Sequence, residues 1–172
     1  EFCENFPAAG TFTTLPVLTV PPFDDGLNNV PQPSPGSSLD TLAFFTMYRA
    51  NHAIIGGEHK LAVAHTVDAG GDRAGMRWAI LDVDNYNSIS IDDTGTYAPN
   101  DGRERWMGSV ALDKVGNLGL AYTRGGTGQF PSVYYTGRET TDPAGTLQAE
   151  VSCVDGSGVQ FGASRWGDYS AT

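Results

Sequence analysis

The sequence contains little positive charge and no long apolar segment. Its 172 residues include Lys+Arg 10 and Asp+Glu 20, so the formal net charge is -10 at pH 7. Proteins that bind nucleic acids present basic patches to the phosphate backbone, so we expect no nucleic-acid partner. No apolar run approaches the roughly 20 residues that a membrane helix requires, so we expect no membrane span.

Cysteine is also scarce, and two sequence signals are missing. Cys3 and Cys153 are separated by nearly the whole chain. They form a disulfide only if both ends meet; the alternative is that each pairs with a cysteine outside this sequence. There is no initiating Met or signal segment, which indicates a processed or trimmed chain. There is no Asn-X-Ser/Thr acceptor for N-glycosylation either.

Turn-forming residues are abundant instead. The chain has Gly 22 and Pro 10, and aromatic residues make up 10%. This composition favours an all-β fold of many short strands joined by turns. The length suits a single domain, because domains usually have roughly 100–200 residues.

Proline is concentrated at the N-terminus, where residues 1–38 carry seven of the ten prolines. Proline removes a backbone donor and fixes φ, so this segment cannot occupy the middle of a sheet. We predict an extended strap or linker, with Leu15–Val20 as a candidate edge strand. Pro31–Ser38 is typical of a linker or of an O-glycosylated stalk.

Two units with the same order of strands follow the strap. In residues 39–102 we predict strands over Leu42–Arg49, Lys60–Val67, Met76–Leu81 and Asn87–Ile91. In residues 103–160 we predict a hairpin of Trp106–Leu112 and Leu118–Thr123, then strands over Ser132–Thr136 and Leu147–Ser152.

The start of the second unit is repeated near the end of the chain. Arg105-Trp106 is echoed by Arg165-Trp166, so residues 161–172 read as the start of a third unit. With Asp40, Arg105 and Arg165 as openings, the units are about sixty residues long. Four-stranded units in series indicate a β-propeller. We therefore predict a propeller fragment of about two antiparallel blades plus the start of a third, with a β-sandwich as the alternative.

Several segments, taken in order, resemble a group of secreted bacterial proteins with sialidase-like β-propeller repeats. The resemblance covers most of Leu39–Thr172 and implies a propeller fold and an exported location, but no reaction. The Asp-box of sialidases is incomplete here, because Ile91–Tyr97 lacks its leading Ser. The segments that carry the resemblance are Arg105–Asp113, Ser132–Arg138, Asp142–Leu147 and Arg165–Ser170, with Leu39–Leu42, Met47–Arg49, His65–Asp68 and Gly75–Trp78.

Catalysis by the sialidase route would use three arginines around a carboxylate, a Tyr nucleophile with a Glu partner, and an acid/base Asp. Arg105 and Arg165 open successive units, and Arg49 is the last residue of a predicted strand. Tyr169 and Asp168 lie beside Arg165. Packing between repeated units explains these positions equally simply. The candidates are Arg49, Arg105, Arg165, Asp168 and Tyr169.

Calcium is the candidate metal, although we expect no required cofactor. Two loops place carboxylate and amide oxygens close together, and oxygen is the ligand that calcium prefers. Ordinary turn formation by Asp and Asn is the alternative explanation. The candidate ligands are Asp82, Asp84, Asn85 and Asn87 in one loop and Asp68 and Asp72 in the other.

The histidines and tryptophans are weaker candidates for binding. His52, His59 and His65 are spaced by seven and six positions, which matches neither a helical pair nor a common zinc pattern. His65 lies on an alternating strand, as a hydrogen-bonded core residue would. The tryptophans, Trp78, Trp106 and Trp166, form either core contacts or a carbohydrate-stacking surface.

Two functional hypotheses follow from these patterns. The first is a non-enzymatic extracellular or cell-surface protein for structure or adhesion, with the rest of its own chain, neighbouring subunits or glycans as partners. The second is part of a secreted sialidase-like glycoside hydrolase or carbohydrate-binding protein.

Overall fold

The computed structural model describes residues 14–15, 17–85, 87–168 and 170. This part of the chain is all-β and contains no helix, and so no helix able to cross a membrane. Its strands are β1 (Asn51–Ile55), β2 (Glu58–Asp68), β3 (Ala74–Asp82), β4 (Ser90–Tyr97), β5 (Glu104–Leu112), β6 (Leu118–Gly126), β7 (Gln129–Arg138) and β8 (Val151–Val154).

The strands form two four-stranded antiparallel sheets, each a simple meander in chain order. Sheet 1 contains β1 to β4, and sheet 2 contains β5 to β8. The predicted hairpin of β5 and β6 is confirmed. Its turn is held by the Asp113 carboxylate, which accepts hydrogen bonds from the backbone N–H groups of Val115 and Asn117, both at 2.9 Å.

The prediction of a strand over Leu42–Arg49 is wrong. This run forms turns and bends, and Leu42 has a φ of 48°. Its apolar residues do not alternate between two faces: Leu42, Ala43 and Met47 are buried, whereas Phe44 and Phe45 are exposed. The run therefore packs as an irregular segment ahead of β1.

Two other predicted strands are displaced. β4 begins only at Ser90, because the preceding residues form a turn in which the Ser88 N–H donates to the Asn85 carbonyl at 2.8 Å. β8 begins at Val151 rather than Leu147. The candidate edge strand Leu15–Val20 contains no strand among its described residues, and Pro16 lies outside them.

The N-terminal segment lies along sheet 1 without joining it as a strand. The Asp68 N–H donates to the Asp24 carbonyl at 2.8 Å, and Arg77 donates to the Pro21 carbonyl at 3.2 Å. The Phe23 ring meets the edge of His65, with centroids 4.6 Å apart. These contacts cover part of the outer face of sheet 1.

One hydrophobic core is shared by the two sheets. One face of sheet 1 packs against one face of sheet 2, and β5 lies against β1, β2 and β3. The alternating side chains of β6, Leu118, Leu120 and Tyr122, enter this core. The buried members are Ala62, Ala64, Met76, Trp78 and Ile80 from sheet 1, and Val110, Leu118, Leu120 and Tyr122 from sheet 2.

A second core connects the segment before β1 to the start of sheet 2. Trp106 is fully buried there, so Trp78 and Trp106 are both core residues. The other buried members of this core are Val30, Leu39, Leu42, Met47, Ala74 and Met107.

The segments that flank the two sheets meet beside this second core. The Gln160 N–H donates to Gln32 Oε1 at 2.7 Å, and Gln32 Nε2 donates to the Gln160 carbonyl at 3.3 Å. The Asp40 N–H donates to the Ser164 carbonyl at 2.6 Å. The segment that precedes sheet 1 is thereby joined to the segment that follows sheet 2.

The three unit openings share one backbone feature. Two residues after each opening the chain has a positive φ: 48° at Leu42, 50° at Met107 and 80° at Gly167. Positive φ is uncommon outside glycine. At Met107 it falls in the β-bulge of β5 between Trp106 and Ser109, so each opening contains an irregular backbone position.

The positive-φ residues of the second and third openings, Met107 and Gly167, also contact equivalent strands. The Met107 N–H donates to the hydroxyl of Thr66 on β2 at 3.2 Å. Gly167 lies against Thr123 on β6, where an added Cβ would come within 3.0 Å of the hydroxyl oxygen. The second and third openings thus each contact the second strand of the preceding sheet.

The two sheets do not close into a ring, and their face-to-face packing is also that of a β-sandwich.

We expect Leu120→Ala to destabilise both sheets together, because Leu120 is fully buried in the shared core. Large-to-small core substitutions cost about 2–5 kcal/mol. Urea unfolding should show one transition, with near-ultraviolet and far-ultraviolet circular dichroism coincident. Val115→Ala is the control, since Val115 is 55% exposed in the hairpin turn. Two separate transitions would show that the sheets are independent.

Candidate functional site

A group of interacting charged and aromatic side chains surrounds Arg105 at the edge of the shared core. Arg105 is on β5, and its neighbours come from β4, the β4–β5 loop, β6 and the residue before β8. We call this group the Arg105 cluster; it consists of Tyr97, Asp101, Arg105, Tyr122, Arg124 and Glu150.

Arg105 is fully buried and pairs with two carboxylates. Its Nε donates to Glu150 Oε2 at 2.8 Å, while Nη2 and Nη1 donate to the two oxygens of Asp101 at 2.7 and 3.1 Å. A buried guanidinium needs such partners, because an unpaired charge loses its hydration without compensation. Arg105 therefore ties the β4–β5 loop to the segment before β8.

Arg124 joins the same two carboxylates from β6. Its Nη2 donates to Asp101 Oδ2 at 3.0 Å, and its Nε lies 3.2 Å from Glu150 Oε1. The guanidinium also lies over the Tyr134 ring, 4.5 Å from its centroid. Asp101 and Glu150 each bridge both arginines, so charges of opposite sign balance within the cluster.

Two tyrosines complete the cluster through Glu150. The Tyr122 hydroxyl donates to Glu150 Oε2 at 2.6 Å, and the Glu150 N–H donates to the Tyr97 hydroxyl oxygen at 3.1 Å. Tyr122 and Glu150 thus form a Tyr/Glu pair, the residue types that the sialidase route uses for its nucleophile.

The electrostatics of this pair oppose nucleophilic attack. Burial, together with the hydrogen bond to the Glu150 carboxylate, raises the pKa of Tyr122 above its ordinary value. A nucleophile is activated by a lowered pKa or by a free base. Tyr122 is only 3% exposed, so the reactive phenolate is disfavoured and its access is closed.

The pKa values of the two carboxylates, Asp101 and Glu150, shift in the opposite direction and are lowered. Burial would raise the pKa of Asp101, but hydrogen bonds from Arg105 outweigh it and lower that pKa to about 2. Burial likewise acts against hydrogen bonds from Arg105 and Tyr122 at Glu150, whose pKa is lowered. Both groups are therefore anions at neutral pH, and neither is poised as a general acid.

The predicted catalytic residues do not share one set of contacts. Arg49 lies over the Tyr48 ring, 5.9 Å from its centroid. Arg165 lies 3.6 Å from Asp40 and 3.3 Å from Asp168, while Arg105 is enclosed in its own cluster. Tyr169 lies outside the described residues. The structure thus joins Arg165 with Asp168 and gives the three arginines separate partners.

The side-chain oxygens of the first calcium candidate loop bind groups of the protein itself. Asp82 accepts a hydrogen bond from the Asp84 N–H at 2.9 Å and pairs with Lys60 at 3.1 Å. Asp84 accepts from the His59 N–H at 3.3 Å, and Asn85 accepts from the Asn87 N–H at 3.1 Å. These are the contacts of a hydrogen-bonded turn.

The second candidate loop is similar. Asp68 accepts hydrogen bonds from the N–H groups of Gly70, Asp72 and Arg73 at 2.7, 3.2 and 3.2 Å. Asp72 accepts two from Asn28, at 2.8 and 2.6 Å. Throughout the described part of the chain, no group of three or more His, Cys, Asp and Glu side chains is placed to hold a metal.

The segment that resembles an Asp-box forms β4 and has an inter-sheet role. Asp93 lies 2.9 Å from the Arg138 guanidinium on β7, and it accepts a hydrogen bond from the Gly145 N–H at 2.8 Å. Gly95 leaves room for this approach, since a Cβ there would collide with the Gly145 carbonyl. The segment therefore attaches sheet 1 to the β7–β8 connection.

Of the Arg105 cluster, the sequence predicts only Arg105 as a candidate site residue. Tyr122 lies in the predicted strand Leu118–Thr123, and Asp101 lies in a turn-forming Pro-Asn-Asp-Gly segment. Arg124 and Glu150 carry no local signal, because their roles depend on the pairing of strands distant in sequence. Cys153 is exposed on β8, while Cys3 lies outside the described residues.

Comparison of the chain with protein-family models, with curated proteins and with solved structures found no match. The resemblance to sialidase-like repeats therefore stays a prediction.

We expect the Arg105 cluster to make stability fall in acid. The pKa of Asp101 is lowered from 3.8 to about 2 in the folded state. Its contribution is therefore complete above pH 3.8 and is lost as the pH falls towards 2. Thermal unfolding between about pH 5 and pH 2 should show a steeper loss for the unmodified chain than for Asp101→Asn. Identical pH dependence of the two proteins would contradict this role.

Proposed function

We propose that the chain is a non-enzymatic part of a β-propeller that serves structure or adhesion at the cell surface or outside the cell. The observation that carries the proposal is the repeated opening. Each unit has a left-handed residue at the same position, and two of these residues contact the second strand of the preceding sheet.

The third opening supports a series of sheets rather than an isolated pair. Trp166 and Gly167 lie on the outer face of sheet 2, beside a cavity of about 380 Å³ that is lined also by Met107, Ala121 and Val133. This is the side of sheet 2 that faces away from the shared core. The third opening begins to cover sheet 2 as β5 covers sheet 1.

The outer face of sheet 2 also carries exposed apolar side chains. Val133, Tyr135, Val151 and Val154 are between 39% and 60% exposed. Contiguous exposed apolar surface usually marks an interaction site. We propose that another sheet of the same kind covers this face, supplied by the rest of its own chain or by a neighbouring subunit. The role of the chain then lies in its surfaces, with glycans as further candidate partners.

The location is proposed from the sequence. The acidic composition, the turn-rich strands and the resemblance to secreted repeat proteins favour an extracellular or cell-surface protein.

The second candidate function is glycoside hydrolysis, and one observation favours it: the 2.6 Å hydrogen bond between Tyr122 and Glu150. The raised pKa of Tyr122, its burial and the internal pairing of both arginines weigh against it.

The structural proposal predicts self-association through the outer face of sheet 2. In sedimentation velocity experiments at increasing concentration, the sedimentation coefficient of the chain should rise. Tyr135→Lys should abolish the rise, because it places a charge in the apolar face. Val115→Lys, at an exposed position on the hairpin turn, is the matched control and should leave it unchanged. A constant coefficient, or association that persists in Tyr135→Lys, would refute the proposal.

The enzymatic alternative makes a different prediction. A fluorogenic sialoside should be hydrolysed no faster with the chain than in buffer. Tyr122→Phe keeps the ring and removes the hydroxyl, so it separates true turnover from contamination. Hydrolysis that Tyr122→Phe abolishes would establish the enzyme and contradict the non-catalytic role.

A further inference from the structure

We propose that His52 and His59 form a binding site for Cu²⁺ on the β1–β2 hairpin. The site is separate from the Arg105 cluster and does not depend on the proposed role in structure or adhesion. Its ligands are the two imidazoles. The sequence spacing of His52 and His59 gives no indication that they lie together.

The hairpin brings the two histidines together diagonally. His52 pairs with Leu61, and His59 pairs with Ile54, two residues further along β1. Side chains two residues apart on a strand share a face, so both imidazoles project from the same side of sheet 1. Diagonal neighbours of this kind are within reach of long side chains. Both histidines are exposed, so solvent ions reach them.

The geometry of the pair suits two cis ligands of one metal ion. His52 Nε2 lies 3.0 Å from His59 Nδ1, and the rings are stacked with an interplanar angle of 30°. With metal–nitrogen distances of about 2.0–2.1 Å, two nitrogens at a right angle stand about 2.9 Å apart, against about 3.3 Å at a tetrahedral angle. The observed separation lies within this range, so a small rotation of the rings lets both nitrogens bind one ion.

The ligand type favours copper. Imidazole suits Zn²⁺, Cu²⁺ and Ni²⁺, and Cu²⁺ binds most tightly of the first-row divalent ions. Without metal, one imidazole donates a hydrogen bond to the other. Binding requires that the shared proton leave the 3.0 Å contact for the other nitrogen of its own ring, so both facing nitrogens offer lone pairs.

A carboxylate lies beside the pair, since Asp84 Oδ1 accepts a hydrogen bond from the His59 N–H at 3.3 Å. Lys60, with the carboxylates that it binds, projects from the opposite face of the sheet, because successive strand residues point to opposite faces. Since no third His, Cys, Asp or Glu joins the two histidines in the described residues, water completes the coordination.

The test is titration of the whole chain with Cu²⁺, after both cysteines are alkylated so that no thiolate competes. We expect one strong site in calorimetry, and a paramagnetic resonance spectrum with hyperfine splitting from two nitrogens. His52→Ala and His59→Ala should each weaken binding by about tenfold or more, since even the partners of metal ligands are worth that much.

His65→Gln is the matched control, because His65 is on the same strand but packs against Phe23. It should bind Cu²⁺ as the unmodified chain does. Cu²⁺ should also raise the melting temperature of the unmodified chain and not that of His52→Ala, because a ligand that binds only the folded state stabilises it. Unchanged affinity in the two alanine variants, or a spectrum without two nitrogen ligands, would overturn the proposal.

Discussion

A four-stranded antiparallel sheet with one apolar face cannot remain exposed on that side, and this constraint organises the molecule. Sheet 1 and sheet 2 satisfy it by covering each other, with Trp78 from one side and Leu120 from the other in a single core. The β4–β5 loop connects the two sheets. At the start of sheet 2, Met107, with a φ of 50°, lies in a β-bulge of β5, and the adjacent Trp106 fills the second core. Leu42 and Gly167 also have a positive φ, so an irregular backbone position recurs near the start of each unit.

The charged residues serve the same arrangement. Arg105 and Arg138 are buried at the boundary between elements that lie far apart in sequence, and each is paired with acidic groups across that boundary. A catalytic arginine must keep its charge available to a substrate, whereas these charges are neutralised by the protein itself. Burial and the hydrogen bond to Glu150 keep Tyr122 in its protonated form. Residue types that would serve a glycosidase elsewhere therefore act here as connections between strands, which supports a role carried by surfaces.

The sequence was informative where a pattern is local. Local patterns predict β2, β3, β6 and β7 and the hairpin of β5 and β6, because the two faces of a strand are set by neighbouring residues. It failed at Leu42–Arg49, where apolar content suggested a strand but packing of the second core required an irregular path. It also missed Glu150, Arg124 and the His52–His59 pair, since their partners are chosen by strand register. The repeated Arg-Trp pair predicts that the second and third units open in the same way. The total number of sheets does not follow from two repeats.

The most direct test of the repeated arrangement is a disulfide between the first and third openings. Asp40 and Arg165 are adjacent across the end-to-end contact, with the Asp40 N–H bonded to the Ser164 carbonyl at 2.6 Å. Disulfides form readily only when the two Cα atoms are about 4.4–6.8 Å apart. In a chain with Cys3 and Cys153 replaced by serine, Asp40→Cys with Arg165→Cys should cross-link under mild oxidation while circular dichroism stays unchanged. A pair that stays reduced in the folded protein, or cross-links only after unfolding, would contradict the account.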